Sequence, residues 1–322
     1  MSTLSLYPEK STERDNWILT HRPHRNALDS TRPYAFLVED ERTAFGKIVP
    51  VATLFLTNRE CPWRCLMCDL WKNTLTETVP TGAIPAQIDF ALRQLPPARH
   101  IKLYNSGSFF DPRAIPLEDH PAIANRIASF ERVIVECHPS LIGQSCFQFK
   151  NRLVGSLEVA MGLETAHPQI LARLNKRMTT DDFANAAALL RNNDIDLRVF
   201  ILVKPPFMRE EDSVEWTARS LDFAFDCGAT AATLIPTRSG NGAMETLEST
   251  GDFSPPKLAT LEAATAYGIH LHRGRVFTDL WDLNPAANCP HCFNARVNRL
   301  QAMNLQQTIL APIHCPHCET AP

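Results

Sequence analysis

The sequence predicts an α/β fold: a partial (β/α)6 TIM-like barrel of parallel strands with an N-terminal extension and a small C-terminal four-Cys metal-binding segment. Three observations predict it. Short β-rich apolar runs recur between residues 48 and 272. Stretches with apolar residues at helical spacing separate them. Polar residues stand just past each run, where the C-terminal mouth of such a barrel carries its chemistry.

The elements follow in order. Residues 1–47 form the extension, irregular and containing Pro and Arg. Pro50–Thr57 (PVATLFLT) is the first strand, and Ile84–Leu95 a helix with Pro85 in its first turn. Ile101–Tyr104, Val133–Glu136 and Leu157–Met161 are strands, and Asp181–Arg191 a helix with Thr180 as its cap. Leu197–Val203 is a fifth strand, and the helix after it aligns Val214, Ala218, Leu221 and Phe225 before stopping at Gly228. Ala231–Ile235 is the sixth strand. Ser254 caps a helix that ends at Gly268, and His270–His272 is a final strand. The barrel thus spans 48–272 and the metal-binding segment 273–322. Strand-end polar residues are Asn105, Ser106, His138, Glu164, Lys204 and Arg238.

Composition bounds the function. With 44% hydrophobic and 21% charged residues among 322, the chain can bury a core. A net charge of -3 gives no general affinity for nucleic acid. His21, Arg22, His24 and Arg25 make a local basic run, for which a solvated segment is the plainer reading. No apolar run approaches the roughly 18 residues that cross a bilayer, and the start is no signal peptide, so no membrane role and a cytoplasmic location are expected. In a reducing compartment, grouped cysteines suggest metal sites and not disulfides. Seven of the ten cysteines are grouped; Cys137, Cys146 and Cys227 are read as core residues.

The segment NRECPWRCLMCDLW spaces Cys61, Cys65 and Cys68 as C-x3-C-x2-C directly after the first strand. Thiolates are the preferred ligands of iron–sulfur clusters, and a four-iron cluster with three local ligands keeps one iron open for a substrate or cofactor. The plainer alternative is a zinc knuckle that borrows a fourth ligand. Near the C-terminus, NCPHC and HCPHC supply Cys289, Cys292, Cys315 and Cys318, two C-x2-C knuckles separated by 22 residues. Four thiolates make a closed site for zinc or for an auxiliary 4Fe-4S cluster, and spacing leaves both open.

The first motif resembles the signature of the radical S-adenosylmethionine (SAM) superfamily, over roughly residues 48–272. That resemblance implies an enzyme with a 4Fe-4S cluster on Cys61, Cys65 and Cys68. Its open iron chelates SAM, and reductive cleavage yields a 5′-deoxyadenosyl radical. It also implies an electron donor such as flavodoxin or ferredoxin. Of the family's SAM-contacting positions, Met67 stands where an aromatic residue is common. Ser106, Gly107 and Ser108 stand where a Gly-Gly-Glu-like run binds the methionine amino group. Glu164 stands at the ribose position and Lys204 on the adenine side. Within the superfamily, TNRECPWRCLMCDLWKNT, NSGSFFDP and GLETAHPQILARLNKRMTTDDF resemble the branch of the Elongator catalytic subunit and the archaeosine-forming enzymes. This implies tRNA base modification, with Arg64, Lys72, Arg296 and Arg299 as phosphate contacts or as plain surface charge. The alternatives are a radical enzyme acting on a small molecule or peptide, and a non-catalytic zinc- or iron-binding adaptor.

Overall fold

A computed structural model of the chain describes residues 5–283 and 289–319. The sheet has eight strands in sequence order: β1 (Ala35–Arg42), β2 (Ile48–Phe55), β3 (His100–Tyr104), β4 (Arg132–Glu136), β5 (Ser156–Glu164), β6 (Asp196–Val203), β7 (Ala231–Pro236) and β8 (Arg275–Thr278). β1 pairs antiparallel with β2, and every later pairing is parallel. Helices fill the connections between the parallel strands, as a right-handed crossover requires. The partial barrel is as expected, with one parallel strand beyond the six units and an antiparallel strand at the other edge.

The strands form where apolar β-formers run together: Val133, Val135, Leu157, Val159, Leu197, Val199 and Ile201 are buried in one continuous core with the inner faces of the helices. A smaller core joins Tyr7 and Ile18 of the N-terminal region to Leu66, Met244, Leu247 and Phe253. Leu66 lies between two of the motif cysteines, so this second core seats the cysteine loop on the barrel.

Five local expectations are corrected. The first 47 residues are not merely irregular: they supply the helix Ser11–His21 and strand β1. β1 (AFLVEDER) lacks apolar alternation because Glu41 turns inward to meet Lys102 and Arg198, with Glu39 also on Lys102. The cap of helix Thr180–Asn192 is Thr179, in a reciprocal capping box with Asp182. Ser254 is no cap; its helix is Leu258–His270, and the Ser254 hydroxyl instead accepts from Lys204 Nζ at 2.5 Å. His270–His272 is no strand. Gly268 does not stop the helix but lets it approach β8, since a Cβ there would stand 2.8 Å from Val276 Cγ1.

The inside of the barrel carries an ion network in place of aliphatic layers. Arg198 donates to Glu158 at 2.6 Å and to Glu41 at 2.5 Å, and Lys102 reaches Glu41 at 2.7 Å. Arg275 and Arg132 complete the charge balance on Glu158 at 3.1 and 2.9 Å. Buried charges persist when paired in this way.

Candidate functional site

β2 runs straight into the cysteine loop at the C-terminal mouth of the barrel. Five anchors hold the loop. The Asn241 amide donates to Leu66 O at 2.7 Å and to Cys68 O at 3.1 Å. The Asn175 amide donates to Arg64 O at 2.7 Å, and Leu66 N donates to Leu174 O at 2.9 Å. Glu60, one residue before Cys61, receives Arg22 at 2.7 Å, Arg64 at 3.0 Å and Arg25. Arg22 and Arg25 are therefore structural ties, not a solvated basic run. Trp63 stacks on His138 from the end of β4.

Cys61, Cys65 and Cys68 line one cavity of about 950 Å3. Burial pushes the Cys65 thiol up to about 12 and raises Cys61 and Cys68 too. Thiolates in such a place need a bound cation, and three sulfurs facing one cavity suit an iron–sulfur cluster with an open corner. Gly107 leaves room beside them: a Cβ there would stand 3.1 Å from Cys61 Cβ. The residues present fit the group.

Met67, Ser106, Gly107, Ser108, His138, Glu164 and Arg238 line the same cavity. Lys204 does not; its ammonium is held by Glu210 at 2.9 Å and by Ser254. Ser106, Glu164 and Lys204 share an unusual backbone, with φ of 54°, 66° and 54°. Non-glycine residues rarely occupy this left-handed region, and such conformations gather at binding sites.

Sequence reasoning missed several neighbours. The loop Asn105–Gly107 carries no carboxylate of its own, but Glu136 at the end of β4 supplies one, accepting from Asn105 N at 2.5 Å and Gly107 N at 3.2 Å. Its place at the end of the VIVE strand was the available signal. Lys176 pairs with Glu164 inside the cavity, and burial of both makes each depend on the other. Tyr34, from the N-terminal region, bonds Ser106 Oγ at 2.9 Å; nothing local in the sequence marks it. Phe55, Tyr104, Phe200 and Trp281 line the same cavity and meet ring to ring as an aromatic wall, with Trp281 half exposed.

The four C-terminal cysteines form a separate group with all ligand atoms within 4.8 Å of one another. The four proposed phosphate contacts are already engaged: Arg296 and Arg299 with Glu262, Arg64 with Glu60, and Lys72 with Gly240 O.

No family model matches the chain. Among solved structures, the archaeal Methanocaldococcus infernus Elp3 with an N-terminal deletion superposes with a TM-score of 0.52 at 14% identity, over 79% of this chain and 63% of that one. This is the radical SAM fold. Two curated relatives extend the likeness in sequence. An uncharacterized protein of Methanocaldococcus jannaschii is 22% identical over 307 residues, 90% of this chain and 84% of the relative. Archaeosine synthase subunit beta of Methanosarcina acetivorans is 28% identical over 221 residues, 64% of this chain and 63% of the relative. The shared fold agrees with the partial barrel expected from the sequence, and the likeness to the archaeosine synthase subunit accords with the resemblance read from the cysteine motif and its flanking segments.

Proposed function

We propose that this chain is a radical SAM enzyme acting on a tRNA base, in an archaeosine-type modification. The observation that carries the reading is the convergence of Cys61, Cys65 and Cys68 with Ser106, Gly107 and Glu164 on one cavity at the mouth of the barrel. Cys61, Cys65 and Cys68 would hold a 4Fe-4S cluster, which, supplied with electrons by flavodoxin or ferredoxin, would provide reductive cleavage of SAM for radical chemistry on the substrate.

The chain's own residues position and shield. Glu136 fixes the Asn105–Gly107 backbone, whose carbonyls are the proposed seat of the methionine amino group. Glu164, oriented by Lys176, offers its carboxylate to the ribose hydroxyls. Met67, on the cavity lining, would meet the adenine by apolar contact in place of aromatic stacking. Phe200, Leu202 and Ile235 line part of the cavity and would keep water and competing hydrogen donors from that part. The aromatic wall toward Trp281 suits a planar base, since base–aromatic stacking stabilises by about 1–3 kcal/mol per base. Similarity to the archaeosine synthase subunit supports the same substrate class. A small-molecule or peptide substrate is the second reading, favoured by the engagement of the four basic side chains named above in intramolecular contacts. Among the described residues no helix is long and apolar enough to cross a membrane; a cytoplasmic location belongs to this proposal.

The test is anaerobic reconstitution with iron and sulfide, then dithionite and SAM, with 5′-deoxyadenosine as the readout. Release that rises with tRNA carrying the lysine-adducted deazaguanine base is the expected result. Release stimulated by a metabolite extract and not by tRNA selects the second reading. Absence of both a cubane spectrum and 5′-deoxyadenosine overturns the proposal.

A further inference from the structure

The two C-terminal knuckles have the same sequence, Cys-Pro-His-Cys, at 289–292 and 315–318. Each cysteine faces its counterpart: Cys289 and Cys315 sulfurs lie 3.9 Å apart, Cys292 and Cys318 3.6 Å. The matching histidines, His291 and His317, stack with centroids 3.8 Å apart and planes 15° from parallel. The knuckles thus face each other as an approximate two-fold pair. A single tetrahedral ion with metal–sulfur bonds near 2.3 Å needs sulfurs about 3.8 Å apart. A cubane binds each thiolate to a different iron and points it outward, which splays the sulfurs further. The observed spacing selects one ion, fully enclosed by sulfur and without an open position for catalysis.

The chain between the knuckles is the helix Phe293–Gln306 and its return. This helix lies against the free edge of β8. Asn304 accepts from Thr278 N and donates to Thr278 O, both at 2.8 Å. Gln307, just past the helix, accepts from Val276 N at 2.7 Å and donates to Val276 O at 2.8 Å. Two side-chain amides therefore serve alternate residues of an edge strand as a neighbouring strand would. On the far side, Arg42 of β1 donates to Leu305 O at 3.1 Å. Leu300 and Met303 are buried in the main core, and Gln301, Asn304 and Leu305 line the large cavity. The helix fills the gap between β1 and β8 that the partial barrel leaves open.

We propose that Cys289, Cys292, Cys315 and Cys318 bind a single zinc-type divalent ion that ties the N-terminal end of this helix to the segment returning from its far end, so that metal occupancy keeps the cavity wall closed between β1 and β8. The site is independent of the radical chemistry proposed above.

The test uses the full chain, with metal and acid-labile sulfide analysis and hydrogen exchange. In a Cys61→Ala, Cys65→Ala, Cys68→Ala variant, about one zinc per chain and no sulfide is expected. Cys315→Ser with Cys318→Ser removes that zinc and speeds exchange at the Val276 and Thr278 amides by roughly tenfold or more, leaving β4 unchanged. About four irons with sulfide in the first variant overturn the single-ion assignment. Unchanged exchange after zinc loss overturns the clamp. If the double serine variant fails to fold, Asn304→Ala with Gln307→Ala keeps the zinc and carries the exchange test: faster exchange at the two amides supports the seam closure, and unchanged exchange sinks it.

Discussion

The indole of Trp63 lies flat on the imidazole of His138, with ring centroids 3.8 Å apart and planes 10° from parallel. The contact ties the middle of the cysteine loop to the end of β4. His138 is itself fixed, its Nδ1 accepting from Ser140 N at 3.2 Å and its Nε2 placed to donate to Lys176 O at 3.0 Å. Stacking of this kind adds about 0.5–1.5 kcal/mol beyond buried area. Trp63→Ala should therefore speed loss of iron to a chelator by up to about tenfold, with Trp63→Phe in between. Cluster absorbance followed after chelator addition checks this, and equal rates in all three proteins refute it.

Two buried histidines make stability depend on pH. Burial, with Lys176 nearby, holds His138 down to about 4, and burial with Arg152 nearby does the same to His120. Between about pH 4 and 6.5 the unfolded chain binds protons that the folded chain refuses, so stability rises with pH through that window and is level above it. Each histidine should contribute on the order of a few kcal/mol across the window. Urea midpoints measured from pH 7.5 down to 4.5 should fall, and His120→Phe should flatten the fall. A variant profile as steep as the parent's would count against this.

Glu164 and Lys176 are both buried and pair with each other. Glu164→Ala leaves an uncompensated ammonium and should cost about 3–5 kcal/mol. Adding Lys176→Met should restore most of that stability while leaving SAM affinity impaired. Denaturant unfolding and equilibrium dialysis with labelled SAM separate the two effects. If the double variant is as unstable as the single one, the pair is not what sets the cost.

Arg198 holds two carboxylates, Glu41 at 2.5 Å and Glu158 at 2.6 Å. Arg198→Met should lower stability by about 3–5 kcal/mol, because both acids stay buried. Although burial opposes it, the surrounding arginines pull Glu158 down to about 2, and Arg198 and Lys102 hold Glu41 lower still. Stability from these groups is present above the unfolded carboxyl value of about 4.5 and is lost as pH falls toward 2. In Arg198→Met that acid limb should begin at higher pH, as circular dichroism titration would show.

Legibility in sequence followed locality. The cysteine loop, the parallel core strands and the paired C-terminal knuckles were readable because their signals are short-range: ligand spacing, apolar runs and helical periodicity. β1 was not, since its inward positions are charged and satisfied by Lys102 and Arg198, which lie far along the chain. Glu136, Lys176 and Tyr34 escaped for the same reason, each acquiring its place only when distant elements meet at the barrel mouth.

The chemistry on offer is legible in the residues alone: three closely spaced thiols after a strand, four more in two matched knuckles, and an α/β chain to carry them. Tertiary structure alone decided which groups share a cavity and which do not. It turned Lys204 toward Glu210, set Lys176 against Glu164, and laid the helix Phe293–Gln306 along β8. Those outcomes depend on packing and charge pairing between residues far apart in the chain, a balance that spacing along the chain does not encode.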